Sequence, residues 1–258
     1  MQTALVTGGS RGVGRGAAIG LAEAGFRVFA TGRTVATADL PESVGRLACD
    51  HLHDDETAAV FARVEHEAGG LDVLVNCAWG GYERMVEDGR FTWALPFWQQ
   101  PAHRWTGMID AGAHAAFVAG SHAARIMVPR GRGLIVNISY WSAQKHLGNL
   151  VYGVAKAATD KMTADMAHEL RPYGVAAVSL YPGLVRTEAV ILAARGGAFS
   201  LENSESPQFT GRVVAALARD TKLLERTGRI LVAAEVAAEL GVTDIDGRRP
   251  RPLTVETS

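Results

Sequence analysis

Cysteine is nearly absent, with only Cys49 and Cys77 in 258 residues. They lie far apart among apolar neighbours, and no CxxC or HxxxH spacing occurs, which argues against a disulfide framework and against a metal site. Two buried thiols in a reducing cytoplasm are expected, and no metal. A dominant charge sign is lacking too: 26 Lys and Arg stand against 27 Asp and Glu, a net charge of −1. Nothing in that balance suggests nucleic acid or an anionic membrane as a partner. No apolar run approaches the roughly 20 residues that cross a bilayer, so no membrane span is expected. The start, MQTALVTGG, carries neither the basic region nor the cleavage site of a signal peptide. Linkers and internal repeats are missing as well, which leaves residues 1–258 as a single domain of a length one large α/β unit fills.

What is present is an alternation. Short apolar runs (TALVTG, RVFATG, LDVLVNCA, LIVNIS, VAAVSLYPG, RILVAA) are separated by longer segments of helical period. Continuous apolar strands joined through helices predict a parallel sheet covered on both faces. Gly25, Gly70 and Gly174 punctuate the helix ends. The expected fold is α/β: a Rossmann-like, doubly wound parallel sheet with helices on both faces.

The first strand runs into TGGSRGVG, where Gly8, Gly12 and Gly14 are spaced G-xxx-G-x-G before a helix. Glycines there permit a tight turn and let a pyrophosphate approach backbone N–H groups at the helix N-terminus. Downstream, YGVAK sets Tyr152 and Lys156 four residues apart, on one helical face. A free phenol has a pKa of about 10. A neighbouring ammonium is expected to favour the phenolate, making Tyr152 a proton carrier for a carbonyl or alcohol oxygen.

These motifs together resemble the short-chain dehydrogenase/reductase family. TGGSRGVG is similar to its TGxxxGxG loop, and Cys49-Asp50 follows the third strand where the family's Asp meets adenine. NCAW (Asn76 to Trp79) stands where the family writes NNAG; YxxxK follows, and YPGLVRT is similar to the PGxxxT segment under the nicotinamide. The resemblance implies a cofactor site of Gly8, Ser10, Arg11, Gly12, Val13, Gly14, Arg33, Asp50, Asn76, Tyr152, Lys156, Pro182, Gly183, Val185 and Thr187. It also implies a mainly dinucleotide-binding half over 1–100, a catalytic helix and nicotinamide segment over 130–190, and a substrate lid over 186–212. The second strand ends at Gly32, where an NAD-type site places a carboxylate, and arginines stand at 33 and 11. Guanidinium groups fork onto phosphate oxygens, so NADP(H) is expected before NAD(H).

Two departures stand out. The family's catalytic serine falls on Tyr140 when counted from the strand and on Ser139 when counted back from Tyr152; Ser139 is the first candidate, Tyr140 the alternative and Ser142 a third. The family's helix-four asparagine falls on Gly112, so a proton path would use Asp110 or a water. The connection WGGYERMVEDGRFTWALPFWQQPAHR is long and aromatic, and Trp79, Tyr140 and Trp141 are the expected pocket residues. FWQQPAHRW, AARIMVPRGRGLIVNIS and GVTDIDGRRP further resemble the dehydrogenase/reductase member 1 subgroup. That likeness implies an NADP(H)-dependent carbonyl reductase acting on an apolar ketone, aldehyde, quinone or steroid-like compound. A homodimer through the fourth and fifth helices, or a homotetramer, is expected in the cytoplasm. Other readings are a non-catalytic NADP(H)-sensing or partner-binding protein and a redox-neutral epimerase or isomerase.

Overall fold

The computed structural model describes residues 1–197 and 200–258. The apolar runs form one sheet: β1 (Thr3–Thr7), β2 (Arg27–Gly32), β3 (Gly45–Ala48), β4 (Val73–Asn76), β5 (Gly133–Ile138), β6 (Val175–Tyr181) and β7 (Ile230–Val232). Its strand order is β7-β6-β5-β4-β1-β2-β3, parallel at every pairing. Every residue of β1, β4 and β6 is buried, the pattern of strands covered on both faces. The helices are α1 (Gly12–Glu23), α2 (Asp54–Ala68), α3 (His103–Trp105), α4 (Ala115–Met127), α5 (Leu150–Leu170), α6 (Glu188–Arg195), α7 (Pro207–Leu217), α8 (Leu223–Arg226) and α9 (Ala233–Leu240). Between α3 and α4 the chain is π-helical over Thr106–His114, a widening often found at functional sites. Among the described residues, no helix is long and apolar enough to cross a membrane.

Two cores sandwich the sheet. Leu21, Phe209 and Val213 pack on one face, and Phe61, Val64, Leu74 and Met127 on the other. The chain reverses direction across the sheet between β1 and β4, whose last residues Thr7 and Asn76 pair directly. Ligands of this architecture bind in the crevice outside such strand ends.

Helix α7 settles one boundary. A Cβ on Gly16 would stand 2.1 Å from the Pro207 carbonyl carbon, and one on Gly211 would stand 2.4 Å from Ala17 O. The two backbones therefore touch, and Phe209 is fully buried beneath them. Residues 207–212, expected in the lid, belong instead to the scaffold. Of the other residues expected as a lid, 186–206, residues 198 and 199 lie outside the described residues.

Candidate active site

The glycine loop closes over the end of β4. Gly8 (φ 68°) and Gly12 (φ 57°) adopt left-handed backbone, which glycine enters without steric cost. A Cβ on Gly8 would lie 2.6 Å from Cys77 O, and one on Gly14 would lie 2.3 Å from Gly8 O. Gly12, Val13 and Gly14 open α1, and Ser10 Oγ beside them is buried with no partner. The Gly12 N–H donates to Glu188 Oε2 (3.2 Å), and Arg15 pairs with Glu188 Oε1 (3.0 Å). A carboxylate thus already sits on the N-terminus of α1, as expected of a phosphate-type anion site. A dinucleotide fits these donors.

Arg11 and Arg33 converge at the far side of the loop, on Glu83 Oε1, at 2.7 and 2.5 Å. Asp50 Oδ1 accepts from the Leu52 N–H. The Asn76 amide is committed to protein: Nδ2 donates to Asn137 Oδ1 (2.8 Å) and to Ala116 O (3.3 Å). Its side chain knits β4 to its neighbours at the strand end where the cofactor is expected. Pro182 and Gly183 lead from β6 into Leu184–Val185, which pairs with Ser204–Glu205. Thr187 caps α6, its hydroxyl accepting from Val190 N–H.

Tyr152 and Lys156 share one face of α5, whose start is set by Asn149. That side chain accepts from the Tyr152 N–H (3.0 Å) and donates to Trp93 O (2.9 Å). Asparagine three residues before Tyr152 was a legible N-cap signal that the motif reading passed over. Lys156 Nζ donates to Ile138 O (3.0 Å) and lies 4.2 Å from the Trp79 ring centre. Burial lowers the Lys156 pKa to about 8 against the pull of Cys77. Tyr152 is raised well above 10, by burial first and by the neighbouring Tyr82 and Tyr140 second. The ammonium was expected to favour the phenolate; burial is the leading influence instead, and it favours the neutral phenol.

The family description "short chain dehydrogenase" matches residues 2–195. This chain is a short-chain dehydrogenase/reductase. It is 39% identical to mouse (Mus musculus) dehydrogenase/reductase SDR family member 1 over 96% of its own length and 84% of that protein. The human (Homo sapiens) form is 38% identical over the same shares. Gluconate 5-dehydrogenase of Gluconobacter oxydans is 34% identical over 72% of each chain. A solved short chain dehydrogenase/reductase family protein superposes with a TM-score of 0.72 at 28% identity, covering 90% of this chain and 94% of that one.

In this short-chain dehydrogenase/reductase the serine position is rearranged. Ser139 is buried and its Oγ donates to Lys156 O (3.3 Å). The next residues enter a 3-10 turn, Trp141–Ala143, which brings Ser142 beside Tyr152. Ser142 pulls the phenol's pKa down, although its buried Oγ makes no well-formed hydrogen bond. Tyr140 packs in the same cluster as Tyr152. Trp141 does not join them; it stacks edge-on against Tyr181, 5.1 Å between ring centres, in a separate cluster.

The asparagine position is rearranged as well. A Cβ on Gly112 would lie 2.8 Å from Cε3 and Cζ3 of Trp79. The indole fills the space above that glycine, and Trp79 is the residue that stands for the glycine of NNAG. The aromatic connection divides in two. Trp79, Tyr82 and Trp93 surround Tyr152 with ring centres 5.7, 6.3 and 5.3 Å from it, and the Tyr82 and Tyr152 hydroxyls share a 3.4 Å hydrogen bond. Phe97 and Trp98 stack on each other at the surface, along an open groove of about 660 Å³ that Ser142 also lines.

Two residues carry no motif. Arg104, only 1% exposed, donates to Gly81 O, Glu83 O, Arg84 O and Thr92 Oγ1 and so holds the loop in front of Tyr152. Glu205 is buried against Gly183 with Oε2 unpartnered, and burial raises its pKa to about 7. Neither could have been found by spacing, since each is defined by what folds around it.

Proposed function

We propose that this chain is an NADP(H)-dependent oxidoreductase that moves hydride between a nicotinamide and the carbonyl or secondary alcohol carbon of an apolar substrate. Ketones, aldehydes, quinones and steroid-like compounds are the candidate classes. The observation that supports the reading is the buried Tyr152 and Lys156 on one face of α5, with Arg11 and Arg33 gathered on Glu83 of the loop that also carries Tyr82.

A bound dinucleotide would supply or accept the hydride, held by Gly8, Ser10, Gly12, Val13, Gly14, Arg11, Arg33, Asp50, Lys156, Pro182, Gly183, Val185 and Thr187. In the reducing direction the Tyr152 hydroxyl gives its proton to the substrate oxygen as the carbon is reduced, and a phenolate remains. The nearby Lys156 ammonium offsets that charge, so its attraction is strongest after proton transfer, when it is needed. Ser142 and Tyr140 are the hydroxyls placed to hold the substrate oxygen, in the role first expected of Ser139. Trp79 and Trp93 keep water from the phenol and offer an apolar wall, which favours an apolar substrate over a sugar. Exposed Trp105, Phe117, Leu150 and Val154 make the α3–α5 surface a homodimer interface, and the cytoplasm is the compartment proposed.

The test is NADPH consumption against a panel of aromatic ketones, aldehydes, quinones and ketosteroids, wild type beside Tyr152→Phe. Removing the proton donor should lower turnover by about 10²–10⁴-fold with cofactor binding unchanged. Turnover that survives in the variant would sink the assignment of Tyr152. The Tyr82–Tyr152 hydrogen bond favours one second reading, a cofactor-sensing protein without turnover. Cofactor binding with a silent panel would support it.

A further inference from the structure

Arg11 and Arg33 share one carboxylate, Glu83 Oε1, and that carboxylate belongs to the loop that covers Tyr152. Tyr82, its neighbour in sequence, hydrogen-bonds the Tyr152 hydroxyl. Arg84, on the other side, adopts a left-handed φ of 57°, a backbone region unfavourable for a residue with a side chain. Buried Arg104 grips the backbone of Gly81, Glu83 and Arg84 together. The anion site and the cover on the phenol are therefore two ends of one short, stiff segment.

We propose that Glu83 is a built-in competitor for the cofactor's 2′-phosphate, and that its displacement from Arg11 and Arg33 uncovers Tyr152. This rests on the NADP(H) reading above. A 2′-phosphate and the Glu83 carboxylate cannot both occupy the space between the two guanidinium groups. A phosphate monoester carries about −1.5 to −2 charge at pH 7 and three acceptor oxygens, against one charge and two oxygens on Glu83. The exchange favours the phosphate, while a dinucleotide with a bare 2′-hydroxyl leaves Glu83 in place. Glu188 repeats the arrangement at the α1 N-terminus, a carboxylate from α6 on the Gly12 N–H. Both phosphate positions are thus held by acids from the two segments that border the substrate crevice. Glu83 makes the 2′-phosphate, rather than the dinucleotide in general, the signal that opens the site.

The experiment titrates adenosine 2′,5′-bisphosphate and adenosine 5′-monophosphate into wild type and Glu83→Gln. Affinity is read by calorimetry, and Trp79 and Trp93 by tryptophan emission and acrylamide quenching in a Trp98→Phe, Trp105→Phe background, which removes the two exposed indoles. In the wild type the bisphosphate should bind, shift the emission and raise quenching, whereas the monophosphate should leave both unchanged. Glu83→Gln should bind the bisphosphate about fivefold more tightly, the worth of two exposed ion pairs, and be quenched more readily before any ligand is added. Equal bisphosphate affinity in the two proteins with an unmoved tryptophan signal overturns the competitor role and leaves the NADP(H) reading standing. No preference for the bisphosphate over the monophosphate in either protein overturns both.

Discussion

Gly112→Ala is the smallest change that tests how the site tolerates the loss of the family asparagine. The added Cβ would lie 2.8 Å from two atoms of the Trp79 ring, roughly 1 Å inside an ordinary carbon–carbon contact of about 3.5–4.0 Å. The Cβ is fixed to a helix, so the indole has to tilt, and in tilting it leaves the Lys156 ammonium that it faces at 4.2 Å. Overpacking of this kind costs about 1–3 kcal/mol, and a desolvated cation–π contact contributes about 1–2 kcal/mol. Alanine in place of glycine within a helix returns about 1 kcal/mol. The expected result is destabilisation by about 1–4 kcal/mol, a drop in Tm of about 2–16 °C for a chain of this size. In a Trp79→Ala background there is nothing to strike, and Gly112→Ala should stabilise by about 1 kcal/mol. Urea unfolding of the four proteins gives the coupling directly. If Gly112→Ala stabilises both backgrounds alike, the indole does not occupy the asparagine's space and the account of Gly112 is wrong.

Lys156 offers a pH test. Its folded pKa of about 8 lies below the ordinary 10.5, so between those values the unfolded chain holds a proton that the folded chain has released. Stability attributable to Lys156 therefore rises with pH across that window. Against Lys156→Met, wild type should gain at least about 1 kcal/mol between pH 7.5 and 9.5; a constant difference would mean that the lysine is not desolvated. Arg104→Met should loosen the segment it grips without unfolding the domain. Proteolytic cleavage between residues 82 and 92 is expected to quicken about tenfold while Tm falls by only a few degrees. A uniform loss of stability with no preferential cleavage there would make Arg104 a core residue and nothing more.

The fold was legible because its signals are local. Each strand is a continuous apolar run, and the glycine loop and the i, i+4 spacing of Tyr152 and Lys156 depend on neighbours in sequence. What escaped depends on distance. Arg11 and Arg33 are expected at a 2′-phosphate from their positions alone, but the carboxylate they share, Glu83, lies 72 and 50 residues away along the chain, and no periodicity announces it. The choice among Ser139, Tyr140 and Ser142 turns on how the chain leaves β5 and enters the 3-10 turn Trp141–Ala143, which spacing alone leaves open. The phenol's pKa went the other way from expectation because charge proximity can be read from an i, i+4 pattern, whereas burial beneath Trp79, Tyr82 and Trp93 cannot. The end of the segment expected as a lid is a similar case. Its last residues look like any polar loop entering a helix, and only the glycine contacts with α1 show that they are scaffold.

The departures from the family pattern are connected through one loop. The glycine of NNAG is Trp79, and its indole takes the room left by Gly112. The acid missing at Gly32, where a Cβ would stand 2.4 Å from Ser10 Oγ, is replaced in charge by Glu83, which reaches Arg33 from across the crevice. Tyr82 then covers the phenol that the usual serine would have addressed. Because residues 79 to 83 supply all three replacements, restoring any one family residue alone should harm the site rather than improve it. Gly112→Asn without Trp79→Gly would drive the indole off Lys156, and an acid at position 32 would compete with Glu83 for Arg33. Tyr152 and Lys156 match the family motif, whereas the residues that cover them come from this connection, and that is where substrate and cofactor selectivity should respond to mutation.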